Sequence, residues 1–196
     1  MPDNIQIYVV ISVLLLLLLI IFIIRKNKKS ITKQIETTLA PYFQENVKNI
    51  ILPDGIGGLV EIEQLVLLKQ GIVIIETYPI AGNIFGADNI DQWTQIIEGR
   101  SFKFTNPLYR AQLLRQAIQV IAPDTPILNR IIFTAKDSTF PKGKPENVST
   151  LTTLKDDVKV FEQLPTMTEK QRSKWQRILR IARKDGKAVL TGEENG

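Results

Sequence analysis

Three glutamates on two neighbouring apolar segments are the residues of this chain best suited to chemistry. Glu61 and Glu63 lie in the run LVEIEQLVLL, and Glu76 ends the run GIVIIE. Carboxylates brought side by side repel each other and lose hydration, and a divalent cation such as Mg²⁺ or Mn²⁺ offsets both costs. The bound ion can polarise a phosphate and lower the pKa of a water molecule. Glu63 and Glu76 are therefore candidate metal ligands if the fold brings them together.

The composition narrows the possible chemistry. The 196 residues include no cysteine and no histidine, which excludes disulfides, thiol or imidazole catalysts and zinc sites of the usual ligand types. Any catalysis must therefore use carboxylates, lysine or tyrosine. The length suffices for one globular domain with a sizeable core, and a second full domain would not fit.

The turn between the two glutamate-bearing segments decides whether the acids can meet. A two-residue loop after Lys69 would place Glu63 opposite Tyr78 and Glu76 opposite Leu65, with both glutamates on one face as diagonal neighbours. A three-residue loop would put them on opposite faces. We predict the two-residue loop. The spacing alone, however, favours glutamates that alternate out to solvent on a half-exposed sheet.

An apolar segment near the N-terminus predicts attachment to a membrane. Residues 5–24 carry no charge, and a helix of this length spans a hydrocarbon core of roughly 30 Å. The alternative is a cleaved signal peptide, but the sequence lacks a basic start and a small-residue cleavage site. Basic residues follow at 25–29, so the positive-inside rule predicts a single-pass protein of the cell membrane, with residues 1–4 outside and the remainder in the cytoplasm.

The positive charge is concentrated outside the central part of the chain. The net charge is +5, but residues 25–29 and 170–187 hold nearly half of the lysines and arginines, which leaves residues 31–167 close to neutral. This distribution predicts contact between residues 25–29 and anionic lipid, and it favours lipid over DNA as the partner of that run.

Apolar periodicity predicts an α/β order of elements around the hairpin. A helix over residues 31–46 is expected to bend or break at Pro41. An amphipathic helix follows NPLYR and ends at Pro123. The apolar runs VKNIILP and ILNRIIFTA predict strands, Val148–Leu151 is a candidate short strand, and AGNIFGADNIDQW is interpreted as a loop or short strand. Thr153 is expected to cap a helix whose inner face carries Leu154, Val158 and Phe161.

The C-terminal segment predicts a basic amphipathic helix over residues 166–186. Thr168 and Gln171 have the spacing of a capping box, and an apolar stripe follows at Trp175, Ile178, Leu179 and Ala182. We predict that this helix packs on its own domain with a solvated basic face. Contact with a membrane surface or with nucleic acid is the alternative. Residues 187–196 are predicted to be frayed.

The ordered series of residues in the middle of the chain resembles the nuclease-related domain family, NERD. The series is LVEIEQLVLLKQGIVIIETYPIAGNIFG, then Trp93, then NPLYR. The family pattern has Glu-Ile-Asp-His, Ile-Glu-x-Lys, Gly-x-Ile-x-Gly, a tryptophan and Asn-Pro-x-x-Gln in this order. The resemblance covers about residues 33–163. It implies the PD-(D/E)xK superfamily and its α/β fold, a restriction-endonuclease-like central mixed sheet with flanking helices, preceded here by one transmembrane helix.

The resemblance also implies roles for individual residues. Glu63 and Glu76 take the places of the two metal-binding acids, so Mg²⁺ or Mn²⁺ is the expected cofactor of an active protein. Glu36 is the candidate for the family's N-terminal helix glutamate. Asn106 and Pro107 match the pattern, and Arg110 stands at the glutamine position. The implied catalytic set is Glu63, Glu76, Glu36 and Arg110.

The main departure from the family pattern is Tyr78, which stands at the catalytic lysine position. The lysine orients or deprotonates the attacking water and stabilises charge on the phosphate. Tyrosine has an ordinary pKa near 10 and no charge at neutral pH, so it does neither well. Arg110 could stabilise a phosphate if its helix points into the cleft, but it is a poor base because it is always protonated.

The domain organisation expected from the sequence combines these elements. Residues 1–4 form the outer end, 5–24 the transmembrane helix, 25–32 a basic linker, 33–165 the NERD-like domain, 166–186 the basic helix and 187–196 a flexible tail.

Two functions follow as expectations from the sequence. The first is a membrane-anchored nuclease-related protein with weak or absent Mg²⁺-dependent DNA phosphodiesterase activity. The second is a catalytically silent module that binds nucleic acid, or a membrane or cytoplasmic protein, at the cytoplasmic face. The first predicts that both acids and a cation converge in one cleft, and the second predicts a continuous basic surface with the C-terminal helix beside that cleft.

Overall fold

The computed structural model describes residues 2–184 and the backbone of residues 187 and 188, with side chains described for residues 8–26 and 29–184. The chain divides into two compact units, Met1–Thr38 and Leu39–Gly196. The predicted frayed tail lies outside the described residues, apart from those two backbone positions.

One long helix, α1, dominates the first unit. It runs over Pro2–Leu39 without interruption, so the predicted linker at 25–32 is helical. The helix is long and apolar enough to cross a membrane, although a signal sequence would satisfy the same criterion. The helix ends at Leu39, and a 3₁₀ turn follows at Ala40–Tyr42. Pro41 cannot continue the α-helix because it has no backbone N–H to donate. The predicted break at Pro41 is confirmed, and the helix predicted to reach residue 46 ends at Leu39.

A seven-stranded mixed sheet forms the centre of the second unit, and it confirms the predicted α/β class. Its order is β10-β9-β1-β2-β3-β7-β8, and β4-β5-β6 form a separate sheet. The strands are β1 Glu45–Pro53, β2 Leu59–Leu67, β3 Ile72–Tyr78, β4 Asn83–Phe85, β5 Gln92–Ile97, β6 Arg100–Thr105, β7 Ile127–Phe133, β8 Val148–Thr150, β9 Arg183–Lys184 and β10 Lys187–Ala188. The helices are α2 Pro107–Ile121, α3 Leu154–Asp157, α4 Val160–Gln163, α5 Glu169–Arg172 and α6 Lys174–Ile181.

The pairing of β2 with β3 differs from the prediction by two residues. Leu67 pairs with Ile72, and the Leu68 N–H donates to the Gly71 carbonyl at 2.9 Å. The loop therefore contains four residues, and the predicted pairs of Glu63 with Tyr78 and of Glu76 with Leu65 are wrong. A slip of two residues preserves the side-chain alternation, so the change does not move a side chain to the opposite face.

The β1–β2 pair has a local break opposite Glu63. Asn49 has a φ of 53° and lies between the pairs Lys48 with Gln64 and Ile50 with Ile62. Ile62 and Leu65 share one hydrophobic core, although strict alternation would put them on opposite faces. The alternation of side chains in β2 is therefore interrupted between Ile62 and Leu65, in the stretch that contains Glu63.

Helix α2 covers one face of the central sheet. Asn106 caps its start, and the helix ends at Ile121, before Pro123, as predicted. Its buried residues Leu114, Ile118 and Ile121 pack in the core formed with Ile72 and Ile74 of β3 and their neighbours. Because Glu76 is two residues beyond Ile74 on β3, its side chain points to the same side as α2.

The three-stranded sheet was largely missed by the sequence interpretation. Only a loop or short strand was expected near Trp93, yet β5 and β6 form a hairpin. Its turn residues Glu98 and Gly99 have φ values of 49° and 75°, which suit a two-residue turn of type I′. The glycine after a strand-like run was the signal that could have identified this hairpin.

The C-terminal segments pack on their own domain, but the single helix predicted over residues 166–186 is wrong, because α5 and α6 are separate and Arg183–Lys184 form β9. The predicted capping box of Thr168 and Gln171 is present, and Trp175, Ile178 and Leu179 are buried. The Trp175 Nε1–H donates to Glu45 at 2.7 Å. The apolar face of α6 is therefore covered by protein, which contradicts an orientation with Trp175 toward lipid.

The predicted helix after Thr153 is divided into α3 and α4. Leu154, Val158 and Phe161 are buried as predicted. Thr153 makes no capping hydrogen bond with its side chain, and its hydroxyl instead donates to the Asp157 carboxylate at 2.6 Å. The predicted cap is therefore wrong, since the hydroxyl is engaged one turn later.

Candidate functional site

One cleft in the second unit gathers most of the residues that the sequence singled out. Its volume is about 320 Å³, and its lining comes from β1, β2, β3 and α2. The lining residues are Asn49, Glu61, Glu63, Glu76, Thr77, Tyr78 and Arg110. We call this cavity the carboxylate cleft. Glu36 lies on α1 in the other unit, so its assisting role stays a prediction.

Thr77 holds the carboxylate of Glu63 on the edge of β3. The Thr77 N–H donates to Oε2 at 2.8 Å, and the Thr77 hydroxyl donates to Oε1 at 2.8 Å. The paired region of β2 and β3 ends at Gln64 and Ile75. Just beyond this end, the Glu63 carboxylate accepts the hydrogen bond of the Thr77 backbone N–H. Both carboxylate oxygens thus carry a hydrogen bond that fixes their orientation.

Arg110 reaches from the first turns of α2 to the carboxylate of Glu76. Its Nε donates to Oε2 of Glu76 at 2.9 Å, and its Nη2 donates to the Glu61 carbonyl at 2.8 Å. The side chain of Glu76 is 6% exposed, whereas that of Arg110 is 52% exposed. Arg110 therefore links β3 with the backbone of β2 and supplies positive charge to a buried acid.

Asn106 fixes the helix start that carries Arg110. Its Oδ1 accepts the Leu108 N–H at 2.9 Å, which satisfies one of the free amides of the first helical turn. Its Nδ2 donates to the Ile90 carbonyl at 2.9 Å and to the Asp88 carbonyl at 3.2 Å. The side-chain amide thus connects α2 to the loop before β5 and fixes the position from which the Arg110 side chain extends.

Burial controls the protonation of the two groups at the closed end of the cleft. Burial raises the pKa of Glu76 above its ordinary 4.5, and the nearby Arg110 guanidinium only partly opposes this shift. Burial, followed by the negative charge of Glu76, raises the pKa of Tyr78 to about 12. The Tyr78 hydroxyl is therefore protonated at neutral pH, and it lies 3.5 Å from Oε2 of Glu76 as a hydrogen-bond donor.

The raised pKa of Glu76 predicts a pH-dependent stability. A carboxyl whose pKa is higher in the fold contributes stability that is fully present below its unfolded pKa and lost as pH rises through the folded one. We expect wild type to lose stability relative to Glu76→Gln as pH rises from about 4 to 7. Urea unfolding followed by tryptophan fluorescence measures this difference at each pH.

Glu61→Gln is the matched control for the Glu76 experiment, because it removes one charge from the same cleft at an exposed position. A difference between wild type and Glu76→Gln that stays constant, or that grows in favour of wild type toward pH 7, would show that Arg110 outweighs the cost of burial.

The donor set of the cleft fits a tightly bound divalent cation poorly. Among the residues that the structure describes, no cluster of three or more acidic, histidine or cysteine side chains is arranged to hold a metal. The buried acid, Glu76, already has a guanidinium at 2.9 Å. A cation on Glu76 would have to displace Arg110 or share the carboxylate with it, and the two positive charges would repel.

Two residues of the cleft were not assigned a role from the sequence. Thr77 lies between Glu76 and Tyr78 and holds Glu63, and Asn49 lines the cleft from the irregular position in β1. A threonine between two inward-pointing strand residues gives no sequence signal that its backbone N–H and hydroxyl both donate to a glutamate of another strand. A left-handed Asn49 could have been suspected only from the elevated frequency of asparagine in that conformation.

Comparisons with known proteins show which family the chain is similar to. The profile of a family described as nuclease-related domain, NERD, matches residues 26–134. An uncharacterized protein of Bacillus anthracis is 25% identical over 114 residues, which are 58% of this chain and 54% of that protein. The chain therefore matches about half the length of this relative. No solved structure matches the chain.

Proposed function

The chain belongs to the nuclease-related domain family, and from this premise we propose that it is a membrane-anchored, nuclease-like module whose own metal centre is silent. Its fold is then a restriction-endonuclease-like sheet, and its task is to bind a partner at the cytoplasmic face. The observation that carries the proposal is the Arg110 Nε, 2.9 Å from the Glu76 carboxylate. The Arg110 guanidinium thus takes the place of a metal ion as the positively charged partner of Glu76.

Two further features of the carboxylate cleft support a metal centre without catalytic activity. Tyr78 stands at the position of the catalytic lysine, and its pKa of about 12 leaves it neither a base nor a cation at neutral pH. Arg110 is permanently charged and cannot accept a proton from water. Neither Tyr78 nor Arg110 can therefore replace the catalytic lysine in activating a nucleophile.

The membrane anchor is supported by α1 and by the charges that follow its apolar segment. Residues 5–24 are uncharged, and the basic residues at 25–29 come next. Placing these basic residues on the cytoplasmic side puts the second unit in the cytoplasm. In this arrangement residues 25–29 contact anionic lipid headgroups.

A protein is a better-supported partner for the silent module than DNA. Glu61 and Glu63 are exposed at the carboxylate cleft and would repel a phosphate backbone. The C-terminal basic segment begins at the far end of α2, where Lys174 bonds to the Pro123 carbonyl, and continues to Arg183, which pairs with Ile51 of β1. Helix α6 itself does not line the cleft, so the continuous basic surface predicted for the silent module is not formed by α6.

A weak Mg²⁺- or Mn²⁺-dependent DNA phosphodiesterase is the second candidate. It is favoured by the presence of Glu63, Glu76 and Arg110 in one cleft. The raised pKa of Glu76 also favours it, because a carboxyl that is still hard to ionise beside Arg110 would gain from additional positive charge. Metal binding distinguishes the two candidates.

The test is calorimetric titration of Mn²⁺ and Mg²⁺ into the full chain in nanodiscs. We expect no saturable binding by wild type at millimolar metal and detectable Mn²⁺ binding by Arg110→Met, because this change frees Glu76 while keeping an apolar stem of similar length. A triple variant that adds Glu63→Gln and Glu76→Gln to Arg110→Met should again bind nothing.

Binding by wild type that disappears in the double variant Glu63→Gln, Glu76→Gln would overturn the proposal of a silent centre. A nuclease assay on varied DNA substrates with these proteins would then measure the second candidate directly.

A further inference from the structure

A second cavity of the same unit lies along β7 and has no assigned role. Its volume is about 440 Å³, and it shares no lining residue with the carboxylate cleft. The lining residues are Asp88, Arg115, Ile127, Leu128, Asn129, Arg130, Glu146, Asn147, Val160, Phe161 and Leu164. We call it the β7 groove. An inference about it does not depend on whether the carboxylate cleft is silent.

The β7 groove follows an open strand edge. Four consecutive residues, 127–130, line it, and since their side chains alternate between the two faces, a cavity that meets all four must run along the edge of the strand. On that side β8 pairs only with residues 131–133. No strand in the described part of the chain pairs with the outer edge of residues 127–130.

The backbone of this edge is oriented to receive another strand. The Ile131 N–H donates outward to the Asn147 carbonyl at 2.9 Å. Alternate residues of a strand direct their backbone groups to the same side, so those of Ile127 and Asn129 also point outward, into the groove. An added strand would continue the line of β8 along β7 and satisfy these groups.

Arg130 supplies a charge to one side of the β7 groove. It is 3% exposed, its Nη1 donates to the Glu146 carbonyl at 2.7 Å, and its guanidinium carbon lies 5.4 Å from the centre of the Phe161 ring. Its Nε has no hydrogen-bond partner among the described residues. The negative charges of Asp157 and Glu146 act on Arg130 from nearby, but its hydrogen bonds to these two residues go to their backbone carbonyls, and the Asp157 carboxylate is bonded to Lys144 at 2.8 Å.

A buried guanidinium that bonds only to neutral acceptors is missing its preferred partner. Burying a charge is costly unless it is paired, and the free Nε–H is well suited to a carboxylate, which forms the strongest hydrogen bonds with arginine. On the other face, Asn129 Oδ1 is a buried acceptor with no partner among the described residues. Side chains that alternate along an added strand would reach both faces.

We propose that the β7 groove binds an extended acidic peptide segment of a partner protein by strand addition. The peptide backbone pairs with Ile127 and Asn129, an acidic side chain meets Arg130, and apolar side chains pack on Val160, Phe161 and Leu164. The groove has the size of a ligand site and thereby provides the module with a protein-binding surface.

The test measures binding of two labelled probe peptides to the full chain in uncharged lipid nanodiscs by fluorescence anisotropy. The probes are the hexapeptide acetyl-(Val-Glu)₃-amide and its neutral counterpart acetyl-(Val-Gln)₃-amide. We expect the glutamate peptide to bind about tenfold or more tightly than the glutamine peptide, because only its carboxylate forms an ion pair with the buried Arg130 guanidinium. Equal affinities would reject the acidic ligand, and no binding of either at millimolar concentration would reject the site.

Two variants test separately how the Arg130 charge and the open strand edge contribute to peptide binding. Arg130→Met should remove the preference for the glutamate peptide. Asn129→Pro should abolish binding of both peptides, because it removes an outward N–H without removing a hydrogen bond to β3. Lys103→Met, which removes one exposed cation on β6, is the matched control and should bind as wild type.

The comparison of the two peptides on wild-type protein remains decisive even if Arg130→Met does not fold. Wild-type affinity in a folded Asn129→Pro variant would overturn the strand-addition geometry.

Discussion

Replacing Asn106 by aspartate is expected to lower the free energy of unfolding by about 3–4 kcal/mol at neutral pH. The result is not obvious, because aspartate and asparagine are equally good helix-capping residues in general. Asn106 is 1% exposed and uses both ends of its amide. Only the Oδ1 end, which accepts the Leu108 N–H, would survive the change.

The Nδ2 end of Asn106 accounts for the expected loss. It faces three backbone carbonyls, those of Ala87, Asp88 and Ile90, at 2.9 to 3.3 Å. In Asn106→Asp a carboxylate oxygen would meet the same carbonyls, so that a donor is replaced by a buried negative charge among acceptors. The start of α2 would move away from these carbonyls, and Arg110 would lose its alignment with Glu76.

The pH dependence of the Asn106→Asp destabilisation tests whether the buried negative charge is its cause. A protonated carboxyl can again donate to a carbonyl, so the pKa of the new acid must be raised in the fold, and its destabilisation should shrink as pH falls below about 5. Asn106→Ala should cost about 3 kcal/mol at every pH, from the lost cap and the unpaired carbonyls. Asn46→Ala, at an exposed position of β1, is the matched control and should cost little.

Urea unfolding in nanodiscs, followed by tryptophan fluorescence, measures these changes, because both tryptophans of the chain lie in the second unit. An Asn106→Asp variant as stable as wild type at pH 7 would show that the side-chain amide does not hold the start of α2.

Patterns local in the sequence predicted the elements that position the cleft. The hydrophobic stripe and Pro123 fixed the extent of α2, and the family resemblance placed Glu63, Glu76 and Arg110 in one series, which the structure brings into one cleft. The capping box at Thr168 needed only neighbouring residues. These features depend on backbone periodicity and on contacts between residues close in the chain, so the sequence contains the necessary information.

Neither the register of the β2–β3 hairpin nor the contacts between distant segments could be predicted. The β2–β3 register is set by a four-residue loop whose Leu68 N–H bonds to Gly71, and the motif gave no reason to prefer it to a tighter turn. The break opposite Glu63 involves the left-handed Asn49 on another strand. The pairing of Arg110 with Glu76 joins a helix to a strand over 34 positions.

The Gly82-x-Ile-x-Gly86 segment and Trp93 were recognised only as a family pattern, and the structure supplies a physical reason for two of these residues. A Cβ at Gly86 would lie 2.1 Å from Cδ2 of the Trp93 indole. Trp93 is fully buried and stacks on Phe133 at 6.1 Å between ring centres. The glycine is therefore required because the ring occupies the space of a side chain.

Gly86→Ala is accordingly expected to lower the free energy of unfolding by about 3 kcal/mol, at the upper end for an overpacked core. Trp93 cannot easily retreat, because Phe104 and Phe140 abut it edge to face. Displacement would also reach the carboxylate cleft, since Phe133 stacks on Tyr78 at 5.9 Å between ring centres. Urea unfolding in nanodiscs measures the loss.

A double-mutant cycle and a control test the steric origin of this loss. Adding Trp93→Leu should make room for the new methyl, so the double variant should be more stable than the sum of the single effects predicts, by at least about 1 kcal/mol. Gly99→Ala has open space around its Cβ but a φ of 75°, and should cost about 1 kcal/mol from backbone strain alone. Additive effects in the cycle would mean that Gly86 is needed for its backbone and not for the space it leaves to Trp93, and the stack that leads to Tyr78 would then tolerate a side chain at residue 86.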